Sequence, residues 1–289
     1  MRRDREATEP ESQGRRWPLS KDLAPGRKLV DLHCHLVPGV DDGARSVEDA
    51  ISYLESFRET GILRVVTTPH LTASHVQSSW RERIERRFEA LQTAAQERVP
   101  EVELTLSFEI RIDEPESDLS DPRLGLGGGA LLVEFPQLML PAFPDLMLTS
   151  VVEQGWRVAL AHPERYTGIG HSYGWIERWR EAGALMVVNV GSLLGEYGPE
   201  AEQVARHMLA LGHVDCLASD HHARPGRSTS LRDGWDRLSL SPTPEAADLL
   251  TSTNPAAILA GEECEPIPPV DLSSALARRL RRMVKGGRS

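Results

Sequence analysis

Seven apolar runs, separated by helical or loop segments, constrain the fold of this chain more than any other feature of its sequence. Most are nearly continuous in Val, Leu and Ala, which is typical of parallel strands buried on both faces. The segments between them include a charged amphipathic helix at 78–98. The pattern predicts an α/β fold; a (β/α) barrel with seven strands explains it best, and a doubly wound open sheet is the alternative. The runs lie at 28–35, 63–70, 102–110, 129–136, 157–166, 185–192 and 214–222.

Composition divides the chain into a central globular region and two end segments. The chain has 289 residues, 40% of them hydrophobic, which is enough for a large core. We expect a disordered extension at 1–28, the barrel at 29–262, and a Pro-rich linker with a basic C-terminal helix at 263–289. The first segment lacks the apolar centre of a secretory signal, and no run approaches the roughly 20 residues of a membrane span. The three cysteines lack metal-ligand or redox spacing, so we expect a reducing compartment and a cytoplasmic protein.

The net charge of -10 hides an asymmetry, because both ends of the chain are basic and the body is strongly acidic. An acidic body argues against a broad nucleic-acid surface. The basic tail at 271–289 places apolar residues near helical spacing among arginines. A solvated helix end is the simpler interpretation, and docking on an acidic membrane surface or on a partner protein is the alternative.

Imidazoles and carboxylates stand at the ends of the apolar runs. In a barrel these ends converge on one face, where active sites lie. So many imidazoles and carboxylates at one end of a barrel are costly to bury unless a counter-charge binds them, and divalent cations are the natural counter-charge. The residues in question are His33, His35, His70, Glu109, Glu134, His162, Asp220, His221 and His222.

Two of these strand ends carry a spacing that suits metal binding. Residues i and i+2 of a strand point to the same side, so His33 and His35 can reach one ion. Asp220 and His222 repeat that spacing, whereas His221 points the other way and is interpreted as a residue that supports a ligand or as structural. Two ordinary polar residues at a strand end remain the alternative for either pair.

The single positions carry weaker signals. Glu109 and Glu134 lie within apolar runs, where a carboxylate is costly to bury unless it is paired or metal-bound. His70 and His162 fit a turn or a loop cap as well as a ligand. The segment 41–43, Asp-Asp-Gly, could be a plain turn or could bring an aspartate back onto the metals.

Together these residues resemble a known family. Six motifs occur in the order found in the PHP (polymerase and histidinol phosphatase) superfamily, namely DLHCHLVPGVDDGARS, TTPH, the Glu of SFEI, the Glu of LLVEFP, AHPERY and ASDHH. They are most similar to its bacterial branch of manganese-dependent tyrosine-protein phosphatases, which act with capsular and exopolysaccharide biosynthesis. The similarity covers roughly 29–262, and the GVDDG and HPERY segments are specific to that branch.

The resemblance implies a distorted seven-stranded barrel with a trinuclear site, with manganese as the expected metal, although His/carboxylate sites also take other divalent ions. Arg165 matches the arginine expected to contact the phosphoryl group. Asp220 or a metal-bound water would donate a proton to the leaving tyrosine. Of the two adjacent aspartates, Asp42 is preferred to Asp41 as the metal ligand, on the family spacing. The implied ligands fall into three sets, of which the first two share Glu109: His33, His35, Glu109 and Asp220; Glu109, Glu134 and His162; and Asp42, His70 and His222. After His70 the chain departs from the family pattern, because LTASHVQSS lacks the basic residues or second histidine often found there.

We therefore expect a metal-dependent phosphotyrosine-protein phosphatase whose partner is a bacterial tyrosine autokinase. The alternatives are a phosphatase or phosphodiesterase for small phosphoesters, and a metal-binding regulatory module without catalysis. A cysteine-dependent phosphatase is excluded, because none of the three cysteines has the arginine six residues later that the C-x5-R motif requires; those positions are Val40, His222 and Val270.

Overall fold

The computed structural model describes residue 23 and residues 28–223 and 229–272. Within these residues the chain alternates short strands with helices. The strands are β1 (Leu29–Cys34), β2 (Ile62–Thr67), β3 (His70–Thr72), β4 (Glu103–Leu106), β5 (Glu109–Arg111), β6 (Ala130–Glu134), β7 (Arg157–Ala161), β8 (Leu185–Asn189) and β9 (Cys216–Ala218). The α-helices are α1 (Val47–Glu59), α2 (Ser79–Arg98), α3 (Pro144–Glu153), α4 (Gly174–Glu181), α5 (Val190–Leu193), α6 (Pro199–Leu211), α7 (Leu231–Ser239), α8 (Glu245–Asp248) and α9 (Asn254–Ala260).

All strand pairs are parallel, and they form two sheets. The smaller sheet has the order β1-β2-β4, and the larger has the order β3-β5-β6-β7-β8-β9. The strands of the larger sheet follow one another in chain order, unlike a doubly wound sheet, whose order reverses at a switch point. The predicted α/β architecture of buried parallel strands is therefore confirmed.

The division into two sheets differs from the single run of seven strands that the sequence predicts. The run at 63–70 divides into β2 and β3, and the run at 102–110 divides into β4 and β5. The first break falls at Thr68 and Pro69, and proline has no amide hydrogen to give to a ladder. The second break falls at Ser107 and Phe108. Beyond each break the chain leaves the smaller sheet and continues in the larger one. On the other side, a parallel bridge joins Cys34 to His221, and the amide of His35 donates to the His221 carbonyl at 2.8 Å.

A compact inner cluster of apolar side chains draws on both sheets. Val30, Leu32 and Val66 come from the smaller sheet, and small residues such as Ala159 and Ala218 come from the larger. A second, larger cluster lies between the outer strand faces and the helices. Burial on both faces explains why the strands read as nearly continuous apolar runs.

The end of the strands opposite to the histidines is covered by α9. Ile258 of this helix belongs to the inner cluster, and Gly128, with a φ of 55°, lies directly against Gly261. A Cβ on Gly128 would lie 2.5 Å from the carbonyl oxygen of Ile258, so this contact needs glycine. One end of the strands is thus packed with apolar groups, and the polar residues collect at the other.

Two predicted end segments lie partly or wholly outside the described residues. Of the N-terminal extension the structure describes only residues 23 and 28, and the basic helix from 273 onward is outside it. Of the predicted linker, the part at 263–272 packs against the body: Val270 is fully buried, and its amide donates to the Leu209 carbonyl at 2.9 Å. Among the described helices, none has both the length and the apolar character needed to cross a membrane.

Candidate metal centre

The predicted ligands lie together at the C-terminal ends of β1, β6, β7 and β9 and at the starts of the short strands β3 and β5. They come from both sheets and from seven separate stretches of chain. His33 lies near the end of β1, His35 directly follows it and Asp42 lies in the loop beyond. In the larger sheet His70 opens β3, Glu109 opens β5, Glu134 ends β6, His162 follows β7, and Asp220 and His222 follow β9.

The most deeply buried part contains two imidazoles and two carboxylates. The Nε2 atoms of His33 and His35 lie 3.3 Å apart. Glu109 Oε2 lies 3.2 Å from the first and 3.4 Å from the second, and Asp220 Oδ1 lies 3.5 and 3.3 Å from them. These side chains are essentially inaccessible to solvent.

Glu109 extends this cluster in two directions. Its Oε1 lies 2.7 Å from His162 Nε2, and its Oε2 lies 2.9 Å from His70 Nδ1. Glu134 lies on the same side, with Oε1 3.4 Å from His70 Nδ1 and Oε2 3.9 Å from His162 Nε2. A single carboxylate therefore contacts four imidazoles, the arrangement expected of a bridging ligand.

Asp42, His70 and His222 form the outer, more exposed part of the cluster. Asp42 Oδ1 lies 3.2 Å from His222 Nε2 and 3.6 Å from His70 Nε2. The rings of His35 and His222 stack with centroids 4.0 Å apart, which joins this part to the buried one. The half-exposed Asp42 marks the side that faces solvent.

The donor set fits divalent cations. Four groups of three residues have ligand atoms within 4.8 Å of one another. Three of these groups combine imidazoles with carboxylates, and the fourth consists of three imidazoles. Imidazole nitrogen and carboxylate oxygen are the donors that zinc, manganese and iron share. The buried Nδ1 atoms of His33 and His162 have no hydrogen-bond partner among the described residues. The groups are His33, His35 and Asp220; His33, Glu109 and His162; His70, Glu109 and Glu134; and His35, His70 and His222.

The imidazoles and carboxylates of the cluster shift one another's pKa values. Burial alone would lower the pKa of His35, but hydrogen bonds to Asp220 and Asp41 outweigh it and raise that pKa well above its ordinary value. Burial likewise opposes the charged form of His70, yet Glu109 raises its pKa to about 10. The pKa of Glu109 is held well below its usual range by His33 and His70 against the effect of its burial. His35 and His70 on the one side, and the carboxylate of Glu109 on the other, thus favour each other's charged forms, and bound cations would compete with protons on these imidazoles.

Two ligands are placed by unusual backbone conformations. His162, directly after β7, has a φ of 37°, and Asp220, two residues after β9, has a φ of 50°. Left-handed conformations at residues other than glycine are uncommon and cluster at functional sites. They turn the chain sharply, so that the side chain points into the cluster instead of continuing the strand.

Arg165, which the family resemblance assigns to contact with the phosphoryl group, lies beside the cluster. Its Nη1 donates to Asp220 Oδ2 at 2.6 Å, and its guanidinium lies 4.0 Å from the ring centre of Tyr197. The side chain is 18% exposed, so its charge is accessible from the solvent side. Its contact residue Tyr197 is not among the predicted site residues.

Three further residues that the sequence prediction did not assign to the site support the ligands. Asp41 Oδ2 lies 2.8 Å from His35 Nδ1, which fixes the ring and leaves Nε2 toward the cluster. Arg111 donates from Nε to Glu134 Oε1 at 2.9 Å. Asn189 donates from Nδ2 to Asp220 Oδ2 at 2.7 Å. Position along the strands could have found two of them: Arg111 follows Glu109 by two residues, and Asn189 ends an apolar run.

The remaining histidines do not join the cluster. His221 turns away from it and packs against Tyr53, with ring centres 4.3 Å apart, as its structural interpretation predicts. His207 and His213 lie around Tyr173 on another face. None of these is found in a potential metal-binding group among the residues that the structure describes.

The fold and the site together define a class, an α/β protein of parallel strands with a cluster of histidines and carboxylates suited to divalent cations at their C-terminal ends. Residues 29–260 match the model of the family described as capsular polysaccharide synthesis, CpsB/CapC. The chain belongs to this family, and the family resemblance predicted from the motifs is confirmed.

Relatives with assigned names are tyrosine phosphatases. The chain is 26% identical to the putative tyrosine-protein phosphatase CapC of Staphylococcus aureus, over 71% of this chain and 81% of that protein. It is 27% identical to tyrosine-protein phosphatase YwqE of Bacillus subtilis, over 67% and 77%. The chain also matches one of the crystal structures reported for YwqE from Bacillus subtilis and CpsB from Streptococcus pneumoniae, which are described as unique metal-dependent tyrosine phosphatases. That match has a TM-score of 0.70 and 22% sequence identity, and it covers 85% of this chain and 100% of the other. That last match shows a shared fold.

Proposed function

We propose that this chain is a metal-dependent protein-tyrosine phosphatase that acts in capsule or exopolysaccharide synthesis. The observation that carries the proposal is the convergence of imidazoles and carboxylates from six stretches of chain into overlapping potential metal sites. Membership of the CpsB/CapC family and the names of the relatives supply the substrate class. Arg165, next to the cluster, supplies the permanent positive charge that a phosphoryl group requires.

We assign the metal ligands as the family resemblance implies. The assignment is supported most strongly for the first set, because His33, His35 and Asp220 form one compact group with Glu109 next to it. For the other sets the geometry pairs the residues differently: Glu109 groups with His33 and His162, and also with His70 and Glu134. The proposed ligands are His33, His35, Asp42, His70, Glu109, Glu134, His162, Asp220 and His222, and we propose two or three manganese ions.

Divalent cations held here would supply Lewis-acid stabilisation of phosphoryl charge and would lower the pKa of water that they bind. Arg165 offers planar, paired donors that match two phosphoryl oxygens. Burial alone would raise the pKa of Asp220, but His33 and its neighbours hold it below the ordinary range, which favours Asp220 as a ligand over Asp220 as a proton donor. A tyrosine leaving group, with a pKa of about 10, needs little protonation to depart.

The finer parts of the proposal extend to fold, partner and location. We propose that the strands of both sheets form one distorted seven-stranded barrel, supported by the bridge between Cys34 and His221 and by the shared inner cluster. We propose a bacterial tyrosine autokinase as the substrate and the cytoplasm as the location. Peripheral membrane contact through the basic tail stays a prediction, because the tail lies outside the described residues from 273 onward.

The decisive experiment measures hydrolysis of a phosphotyrosine peptide by the purified chain after removal of metal and after addition of Mn²⁺, other divalent cations or a chelator. We expect activity that requires the cation and exceeds the activity on sugar phosphates and dinucleotides. A His33→Ala variant should lose turnover while retaining its circular dichroism spectrum. Full activity in chelator or in His33→Ala would end the proposal, and a preference for small phosphoesters would replace its substrate class.

A further inference from the structure

Asp220 presents its two carboxylate oxygens to different surroundings. Oδ1 faces the histidines, at 3.5 Å from His33 Nε2, 3.3 Å from His35 Nε2 and 3.4 Å from His222 Nδ1. Oδ2 accepts two hydrogen bonds, from Arg165 Nη1 at 2.6 Å and from Asn189 Nδ2 at 2.7 Å. The bonds to Oδ2 fix the rotation of the carboxylate and therefore keep Oδ1 aimed at the potential metal sites.

The two donors to Oδ2 differ in their freedom to move. Arg165 is partly exposed, and its long side chain rests on the ring of Tyr197. In the proposed function the same guanidinium binds the phosphoryl group, which draws donors away from Asp220. A carboxylate held by Arg165 alone would then be free to rotate at the moment when its orientation matters.

Asn189 is built as a fixed donor. It is the last residue of β8, it is fully buried, and its backbone N–H donates to Glu164 Oε1 at 3.0 Å. Its amide nitrogen must be the group that faces Asp220, because a carboxylate only accepts hydrogen bonds. Its bond to Oδ2 therefore persists whether or not Arg165 leaves.

We propose that Asn189 is a positioning residue, which rests on the proposed function: it holds the Asp220 carboxylate toward the metal sites so that Arg165 is free to bind the phosphoryl group. Outer hydrogen-bond partners of metal ligands commonly contribute about 10–100-fold to metal affinity. Asn189 fills that role for Asp220, as Asp41 does for His35.

The test is Mn²⁺ titration by calorimetry on the full chain, with and without inorganic phosphate. Asn189→Ala removes the donor, and Asn189→Asp keeps the size but places a second acceptor against Asp220; both should weaken Mn²⁺ binding by about 10–100-fold. Arg165→Ala should weaken phosphate binding and change Mn²⁺ affinity by less than about threefold, since Asn189 still holds Asp220. Asn254→Ala is the matched control, because Asn254 is also fully buried and donates twice, to the carbonyls of Asp215 and Glu265.

Phosphate supplies a readout that a merely structural role would not move. In Asn189→Ala, Arg165 cannot serve Asp220 and phosphate at once, so the ratio of Mn²⁺ affinity with phosphate to that without should fall below the wild-type ratio. Wild-type Mn²⁺ affinity in both Asn189 variants, or an equal loss in Asn254→Ala, would overturn this inference alone. A wild-type chain that binds no Mn²⁺ would overturn the proposed function as well.

Discussion

Replacing Glu109 with glutamine tests the centre of the site with little change in shape. The carboxylate is fully buried and lies within 3.4 Å of four imidazole nitrogens, and it belongs to two of the four potential metal groups. Glutamine keeps one oxygen but removes the charge and turns two hydrogens toward the cations. We expect at least about a 100-fold loss of Mn²⁺ affinity, the upper end of what even outer partners of ligands contribute.

The size of the effect on stability follows from mass action. At a Mn²⁺ concentration of about 100 times the wild-type Kd, binding adds about 2.7 kcal/mol to the free energy of unfolding. A variant with about 100-fold weaker binding gains only about 0.4 kcal/mol at the same concentration. The difference of about 2.3 kcal/mol corresponds to about 5–9 °C in the metal-induced shift of Tm.

The assay compares thermal unfolding of each variant in chelator and in Mn²⁺, so that any change in the metal-free protein cancels. Asp215→Asn is the control, because Asp215 is a largely buried carboxylate beside Arg180 that belongs to no potential metal group. It should lower Tm equally in both conditions and keep the wild-type shift. An undiminished metal-induced shift in Glu109→Gln would refute the bridging role of Glu109.

Three further substitutions separate the roles of neighbouring residues. Arg165→Lys keeps the charge but loses the planar pair of donors, so we expect kcat/KM for a phosphotyrosine peptide to fall by about 10–100-fold with Mn²⁺ affinity nearly unchanged; a loss of Mn²⁺ binding would contradict this role. Cys34→Ala should retain activity, because burial raises the pKa of that thiol well above its ordinary value and leaves no thiolate to attack phosphorus; inactivation with normal metal content would reopen a cysteine mechanism. Gly43→Ala places a Cβ 2.6 Å from the Cβ of His35 and against the His35 carbonyl, so we expect destabilisation by about 1–3 kcal/mol and weaker metal binding, measured by denaturant unfolding and calorimetry; wild-type values for both would show that the loop gives way freely.

The sequence predicts the position of the site well, because parallel strands impose a simple rule on it. Polar residues that end buried apolar runs must meet at one edge, and His33, Glu109 and Asp220 do so at distances of a few ångströms. The alternation of apolar runs and helices also predicts the α/β architecture. Both predictions depend on local patterns that repeat along the chain.

Details that depend on tertiary contacts were beyond the sequence. Proline lacks an amide hydrogen, so the sequence hints at a break at Pro69. It does not show that the chain beyond this break pairs with β5 in the larger sheet and no longer with β1 and β4 in the smaller one. Asp41 and Asp42 are adjacent and chemically identical, and only the fold shows that one contacts His35 while the other faces His70 and His222. Arg111 and Asn189 occupy strand positions that point toward the site, but only the fold shows that their partners are Glu134 and Asp220.

The seam between the two sheets runs through the cluster. His33 lies in β1 of the smaller sheet and His35 directly follows it, whereas Glu109 and Glu134 lie in β5 and β6 of the larger one. An ion bound between them would join the two sheets, and its binding free energy would add to the free energy of unfolding. Removal of the ion should therefore favour local opening along this line, and faster amide exchange near β1 would report that opening independently of any assay of turnover.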